Sequence, residues 1–212
     1  MVGPTISGSG KKRGTSSGDS TMMAMSFDIA IFFSLGGFME QGRLKLYRID
    51  MKYVRDLHNA DDRVPSVSPQ IDKEKRTFLG VVIVCNSRKY VIPLSHPKEK
   101  HTRMRTTVDF EKIYNRQGKL IGVLNINLMI PVGNKQLQSL DLKIRSSDSP
   151  ENIRYKNLCI DEQHWCRENH ERIINKANAL YKLCTTDSGY KGKSRCLDFQ
   201  KLEEVCDRYQ AK

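Results

Sequence analysis

An α+β fold, an antiparallel sheet built from hairpins and covered by helices, is predicted by three features of the sequence. Two pairs of apolar, β-branched runs, 77–85 with 89–94 and 106–114 with 119–128, are each joined by a short polar turn. The C-terminal third abandons that alternation for helical spacing. The strands come before the long helices rather than alternating with them, which argues against a parallel βαβ arrangement.

Each element has its own warrant. RLKLYRI (43–49) alternates as a half-buried strand, and Asp50 is placed to cap a helix running to about His58. Pro65 and Pro69 mark residues 59–75 as a loop. TFLGVVIVC (77–85) is apolar enough for a central strand, NSR turns it, and KYVIPL (89–94) returns as its partner. TTVDFEKIY (106–114), the turn NRQG and KLIGVLNINL (119–128) form a second hairpin, after which MIPV (129–132) closes the sheet. Ile153, Leu158, Trp165, Ile173, Ala177, Leu180 and Cys184 fit one long amphipathic helix starting near Ser149. After a turn at 185–194, Leu202, Val205 and Cys206 mark a last helix.

The chain has 212 residues, enough for one domain with a real core. Lys and Arg number 36 against 24 acidic residues, a net charge of +12. Such an excess suits a polyanionic partner, nucleic acid first and an anionic membrane surface second; a plain solvated surface is the third reading. The charge is unevenly placed. Residues 1–42 carry Lys11, Lys12 and Arg13 against Asp19, Asp28 and Glu40, so the whole excess lies in 43–212.

That boundary coincides with a change of texture. SGSGKKRGTSSGDST (7–21) is linker-like, and MMAMSFDIAIFFSLGGF (22–38) is an apolar run interrupted by Asp28. The run is too short and flawed for a membrane span, and the distant basic cluster and missing A-x-A site argue against a signal peptide. Residues 1–42 are therefore expected to be an extension outside the fold, and 43–212 the functional domain. Six cysteines contain no CxxC pair. Cys159 and Cys166, on one helix, would stand about 10 Å apart, too far for a disulfide. Cys166, His170 and His164 offer half of a zinc site with no second half, so reduced thiols in a cytosolic protein are expected and no metal or other cofactor is implied.

Residues 86–105 concentrate Arg88, Lys89, Lys98, Lys100, Arg103, Arg105, His96 and His101 against a single acid, Glu99. The chain has no Walker-type loop, HExxH or dense carboxylate cluster, so two-metal phosphodiester chemistry is unsupported. RNA permits another route, in which its own 2′-OH attacks the adjacent phosphate. The protein need only align the chain, move protons and neutralise charge. Ser95, His96, Lys98 and His101 are residue types suited to that work. Composition alone leaves a second reading, a wet basic turn that binds phosphate without chemistry, and hence a non-catalytic RNA-binding protein.

Four segments, 44–66, FLGVVIVCNSRKYVIPLSHPKEKH (78–101), GVLNINLMIPV (122–132) and YKNLCIDEQHWCRENHERIINKANALYKL (155–183), resemble in order the ToxN/AbiQ/CptN-like toxins of type III toxin–antitoxin systems. The strand followed by PLSHPKEKH is the strongest of the four. The resemblance implies a strongly bent antiparallel sheet with flanking helices and a metal-independent bacterial, cytoplasmic endoribonuclease acting on cellular or phage mRNA. It implies 2′,3′-cyclic phosphate products, and a role in abortive phage infection or plasmid maintenance. It also implies a repeat-derived antitoxin RNA, processed by the toxin and bound as a pseudoknot in a closed protein–RNA assembly.

The family's active loop falls on Ser95, His96, Pro97 and Lys98. Ser95 matches a hydroxyl that contacts the phosphate or 2′-oxygen, and Lys98 the lysine that stabilises the transition state. His96 stands where the family has serine, so proton transfer falls to Ser95 or His96. Arg88, Lys89, Lys100, His101 and Arg103 are expected to bind RNA. Tyr53 matches a tyrosine near the scissile region, with a core aromatic as the rival reading. Asn125 is expected to hydrogen-bond the loop or the RNA, with an ordinary structural partner as the rival.

Overall fold

A computed structural model describes residues 44–65, 79–85, 87–186 and 189–211. The extension expected over 1–42 lies outside these residues, as does most of the loop expected at 59–75.

Seven strands form one antiparallel sheet: β1 (Leu46–Ile49), β2 (Leu79–Cys85), β3 (Arg88–Ser95), β4 (Phe110–Tyr114), β5 (Leu120–Asn125), β6 (Ile130–Pro131) and β7 (Leu137–Ser139). Their order is β4-β5-β3-β2-β1-β7, with β6 paired to β3 beside that path. Among the described residues the α-helices are α1 (Met51–Ala60), α2 (Glu99–Arg103), α3 (Pro150–Glu168), α4 (His170–Thr185) and α5 (Phe199–Gln210). Residues 46–139 thus supply the sheet and residues 150–210 the long helices that cover it, as the hairpin-then-helix pattern predicts.

The sheet curls into a half-barrel because β3 changes partners along one edge. Tyr90 and Val91 pair with β6, whereas Leu94 and Ser95 pair with β5. Pro93, which has no backbone donor, lies between the two pairings. On the other edge β2 runs beside β3 without a break. A Cβ on Gly80 would stand 2.5 Å from the Ile92 carbonyl oxygen, so glycine alone permits this approach. Ser87, with φ +62°, turns the chain into Arg88, which pairs with Cys85. Arg88 therefore belongs to the strand, not to the turn.

Asp50 caps α1 as expected, its carboxylate accepting the Lys52 amide at 2.9 Å. Ser149 caps α3 by accepting the Asn152 amide. The expected single C-terminal helix is two helices. Asn169 has left the helical conformation (φ −113°, ψ 20°), and its side-chain amide donates to the Trp165 carbonyl at 2.9 Å. Apolar spacing passes through this break undisturbed, which is why periodicity reads one helix.

Three further elements differ from expectation. β7 is a short polar edge strand held to β1 by backbone pairing, with no apolar alternation to announce it. β5 ends at Asn125, and Ile126–Leu128 turn as a 3-10 helix. α2 forms inside the segment expected to be loop. Beneath the helices, Tyr90, Tyr181 and Phe199 pack as a ring cluster, and the Tyr90 hydroxyl donates to Glu203 at 2.6 Å.

Candidate functional site

The register of three neighbouring strands builds one face of the site. Ser95 lies opposite Val123, and Val123 opposite Lys112; Asn125 lies opposite Phe110. Directly paired residues share a face, so Ser95, Val123, Lys112, Asn125 and Phe110 all project to the same side. Glu111 and Ile113 point the other way, where Lys176 (2.7 Å) and Arg172 (3.3 Å) on α4 engage the buried Glu111 carboxylate.

On the site face the Asn125 amide nitrogen donates to the Ser95 hydroxyl oxygen at 2.9 Å. The bond fits both readings of Asn125, a hold on the chemistry-bearing segment and an ordinary structural partner. It occupies an acceptor position on Ser95 and leaves the hydroxyl proton available to an incoming group. His96 and Lys98 follow as exposed side chains, with the half-buried Pro97 between them. Lys98 forms no ion pair among the described residues. A hydroxyl, an imidazole and an ammonium thus follow one another in the chain where β3 leaves the sheet, with the Asn125 amide on the hydroxyl.

His101, expected to bind RNA, is turned inward. It is buried, tilted against Phe110 with ring centroids 5.4 Å apart. Its Nδ1 accepts the Lys98 amide at 3.0 Å, while its own amide donates to the Lys98 carbonyl at 2.8 Å. This is half of a capping box with imidazole where Glu or Gln usually stands. Burial, with the charges of Lys100, Lys98 and Lys112 adding, holds the imidazole below its usual pKa.

The other expected contacts divide by position. Lys100 and Arg103 are exposed on α2, and Arg103 reaches Glu99 at 3.4 Å. Arg88 and Lys89 sit at the opposite end of β3, seven and six residues from Ser95, or roughly 20 Å along a strand. Arg88 is engaged by Asp207 and Glu203 on α5, and Lys89 donates to Asn134 at 2.6 Å. Both are removed from the site by strand length, which charge clustering in sequence does not convey. Tyr53 realises its core alternative. It is wholly buried, packs edge-on against Tyr209 and donates its hydroxyl to the Pro131 carbonyl at 2.7 Å, so no face is left for a base.

Two supports escaped the sequence reading. Lys112 is buried, and its ammonium donates to the Thr102 carbonyl at 2.9 Å, holding the last turn of α2. Asn127, two residues beyond Asn125, ties in the C-terminal segment: its side chain donates to the Arg195 carbonyl at 2.8 Å and its carbonyl accepts the Leu197 amide. Arg195 in turn pairs with Asp109 at 2.7 Å. Burial pushes the Asp109 carboxyl up, but hydrogen bonds from Thr107 and Arg195 outweigh it and hold the group below its usual range. A strand lysine three residues before NRQG carries no local signal for its contact with Thr102.

The thiols stand apart from this site. All six cysteines are free and buried, and burial pushes Cys85 up to about 12 and Cys159 up to about 11. Cys166 and His170 fall on either side of the Asn169 break. Among the described residues no helix is long and apolar enough to cross a membrane.

Comparison with known proteins agrees with this architecture. The sequence model of the family described as toxin ToxN, type III toxin–antitoxin system, matches residues 45–207. The chain is 31% identical over 170 residues to an endoribonuclease ToxN of Bacillus thuringiensis subsp. kurstaki, covering 78% of this chain and 84% of that protein. In structure it is similar to a type III toxin studied for selective inhibition by a non-coding RNA pseudoknot. That likeness has a TM-score of 0.68 and 28% identity, over 80% of this chain and 99% of the other. It shares its fold with AbiQ, a lactococcal anti-phage endoribonuclease, at a TM-score of 0.67 and 21% identity, over 81% of this chain and 100% of that one. The chain belongs to the ToxN family of type III toxin–antitoxin toxins.

Proposed function

We propose that this chain is an endoribonuclease toxin that cuts RNA by turning the substrate's 2′-OH on its own adjacent phosphate, releasing 2′,3′-cyclic phosphate and 5′-OH ends. The bond from Asn125 to Ser95 carries this reading. It holds a hydroxyl oxygen at the strand end and leaves its proton free to be donated, next in sequence to residues able to move protons and neutralise charge.

The roles follow from chemistry. Ser95 donates to a non-bridging phosphate oxygen and holds it in line. His96 takes the 2′ proton or returns one to the 5′ oxygen. Lys98 meets the charge that grows on the transferring phosphoryl group. Lys100 and Arg103, exposed on α2, hold the RNA backbone. None of the four side chains at the strand end is anionic, and the nearby carboxylates of Glu111 and Asp109 are already committed to Lys176, Arg172 and Arg195. In the proposed reaction Lys98, not a bound metal, neutralises that charge.

The family and the +12 charge support an RNA antitoxin as the inhibitor, bound as a folded pseudoknot in a closed assembly, with cellular or phage transcripts as substrates once that RNA is lost. Free cysteines and bacterial relatives support a cytoplasmic location for the toxin. Residues 43–212 form the toxin domain, and 1–42 are dispensable for cleavage. The test is incubation of purified protein with RNA in EDTA, followed by analysis of product ends. Cyclic phosphate ends, retained on deletion of residues 1–42, support the reading; RNA binding without cleavage leaves a non-catalytic RNA-binding protein.

A further inference from the structure

We infer that His101 is a positioning residue whose neutral imidazole holds the Lys98 segment in register with Ser95, and that its protonation releases that segment. This rests on the reaction proposed above and adds a regulator to the same site.

The geometry is a clamp closed at both ends of α2. At the front, the ring and backbone of His101 bracket Lys98, accepting its amide at 3.0 Å and donating to its carbonyl at 2.8 Å. At the back, Lys112 holds the Thr102 carbonyl at 2.9 Å. Both clamps stand on β4, because the His101 ring lies against Phe110, and Phe110 is the direct partner of Asn125. The strand that places Asn125 on Ser95 therefore also fixes the residue that places Lys98.

Nδ1 can accept the Lys98 amide only while it carries no proton, so the bonded tautomer is neutral with its hydrogen on Nε2. The groups around the ring all oppose its charging. Lys98 and Lys100 flank it in the chain, Lys112 faces it from β4, and Phe110 offers no counter-charge. Acidification adds the Nδ1 proton, removes the acceptor and sets a cation among three others. With the folded pKa below the unfolded one, the contribution is complete above about pH 6.5 and is lost as pH falls through the folded value. What is lost is the fixed path of residues 96–98, not the hydroxyl at Ser95, which Asn125 holds independently.

The test compares the full-length wild type with His101→Ala and His101→Asn, whose amide oxygen can replace Nδ1 as acceptor without titrating. Cleavage is followed as separate kcat and KM values. Binding is measured with RNA made uncleavable by a 2′-deoxy sugar at the cut, and the Lys98 amide resonance is followed from about pH 5 to about pH 8. His101→Ala is expected to lower kcat about tenfold or more with little change in binding, and His101→Asn to restore most of it. In the wild type the Lys98 amide should titrate together with the His101 ring; in His101→Asn that step should vanish. A loss confined to RNA affinity, unchanged kcat in His101→Ala, or a Lys98 amide indifferent to the ring would overturn the inference. If the wild type cleaves no RNA the proposed reaction fails, while the amide titration still decides whether His101 holds Lys98.

Discussion

Asn125 donates to the Ser95 hydroxyl across 2.9 Å, joining the last residue of β5 to the last residue of β3. The two are diagonal neighbours on one face of the sheet, since Ser95 pairs with Val123. The end of an interior strand thereby holds a hydroxyl oxygen in place without a loop residue to steer it. The sheet supplies the precision and the segment after it supplies the charge.

If Asn125 acts by aiming Ser95, the two should fail as a unit. Asn125→Ala and Ser95→Ala are each expected to reduce kcat by about tenfold to a hundredfold, with the double variant little worse than either alone. A double-mutant cycle on kcat checks this; additive losses would separate the two residues.

Lys98 should matter more in the transition state than in binding. Lys98→Ala is expected to cut kcat by about a hundredfold or more while RNA affinity changes only a few-fold. Single-turnover cleavage beside equilibrium binding of uncleavable RNA separates the two quantities. Equal losses in both would make Lys98 a binding residue.

Arg88 and Tyr53 should affect the fold and spare the chemistry. Arg88→Ala breaks a partly exposed contact with Asp207 and Glu203, worth no more than about 1 kcal/mol. Tyr53→Phe strands the Pro131 carbonyl in the core, a loss of about 1 kcal/mol or somewhat more. Denaturant unfolding measures both losses, and cleavage rates in native buffer should stay within about twofold of wild type.

Glu162 predicts how stability depends on pH. It is a buried carboxyl on α3 against Gly122 of β5, where an added Cβ would stand 2.6 Å from its oxygen. Burial, with Asp161 adding, pushes its pKa up to about 8 from 4.5. Because the folded state holds the proton more tightly than the unfolded state, this contribution is complete below about pH 4.5 and is lost as pH rises through about 8. Glu162→Gln should remove a decline of a few kcal/mol between those values, seen as a flatter plot of unfolding free energy against pH. An unchanged slope would show that another group titrates there.

Much of this architecture is legible in local sequence. The two hairpins, the caps at Asp50 and Ser149, and the final helix with Leu202, Val205 and Cys206 inside all follow from short-range rules. What escaped detection depends on distant partners. The helix break needs the Asn169 side chain to take the Trp165 carbonyl, which apolar spacing does not register. α2 has lysine at its N-cap and is held by His101 and Lys112 instead of a capping hydroxyl. At the site, PLSHPKEKH identifies the chemistry-bearing segment, but one-dimensional charge density joins Arg88 and Lys89 to it although a strand's length separates them. Tyr53 shows the same limit, since helical spacing alone leaves its core and surface roles equally open.

The most direct test of the central claim uses one RNA in two forms, unmodified and with a single 2′-deoxy sugar at the mapped cut, both in EDTA. Self-attack by the 2′-OH predicts cleavage of the first to a cyclic phosphate end and an intact second strand that still binds. Cutting of the deoxy strand at the same position would contradict the account, because the nucleophile would then have come from somewhere other than the sugar.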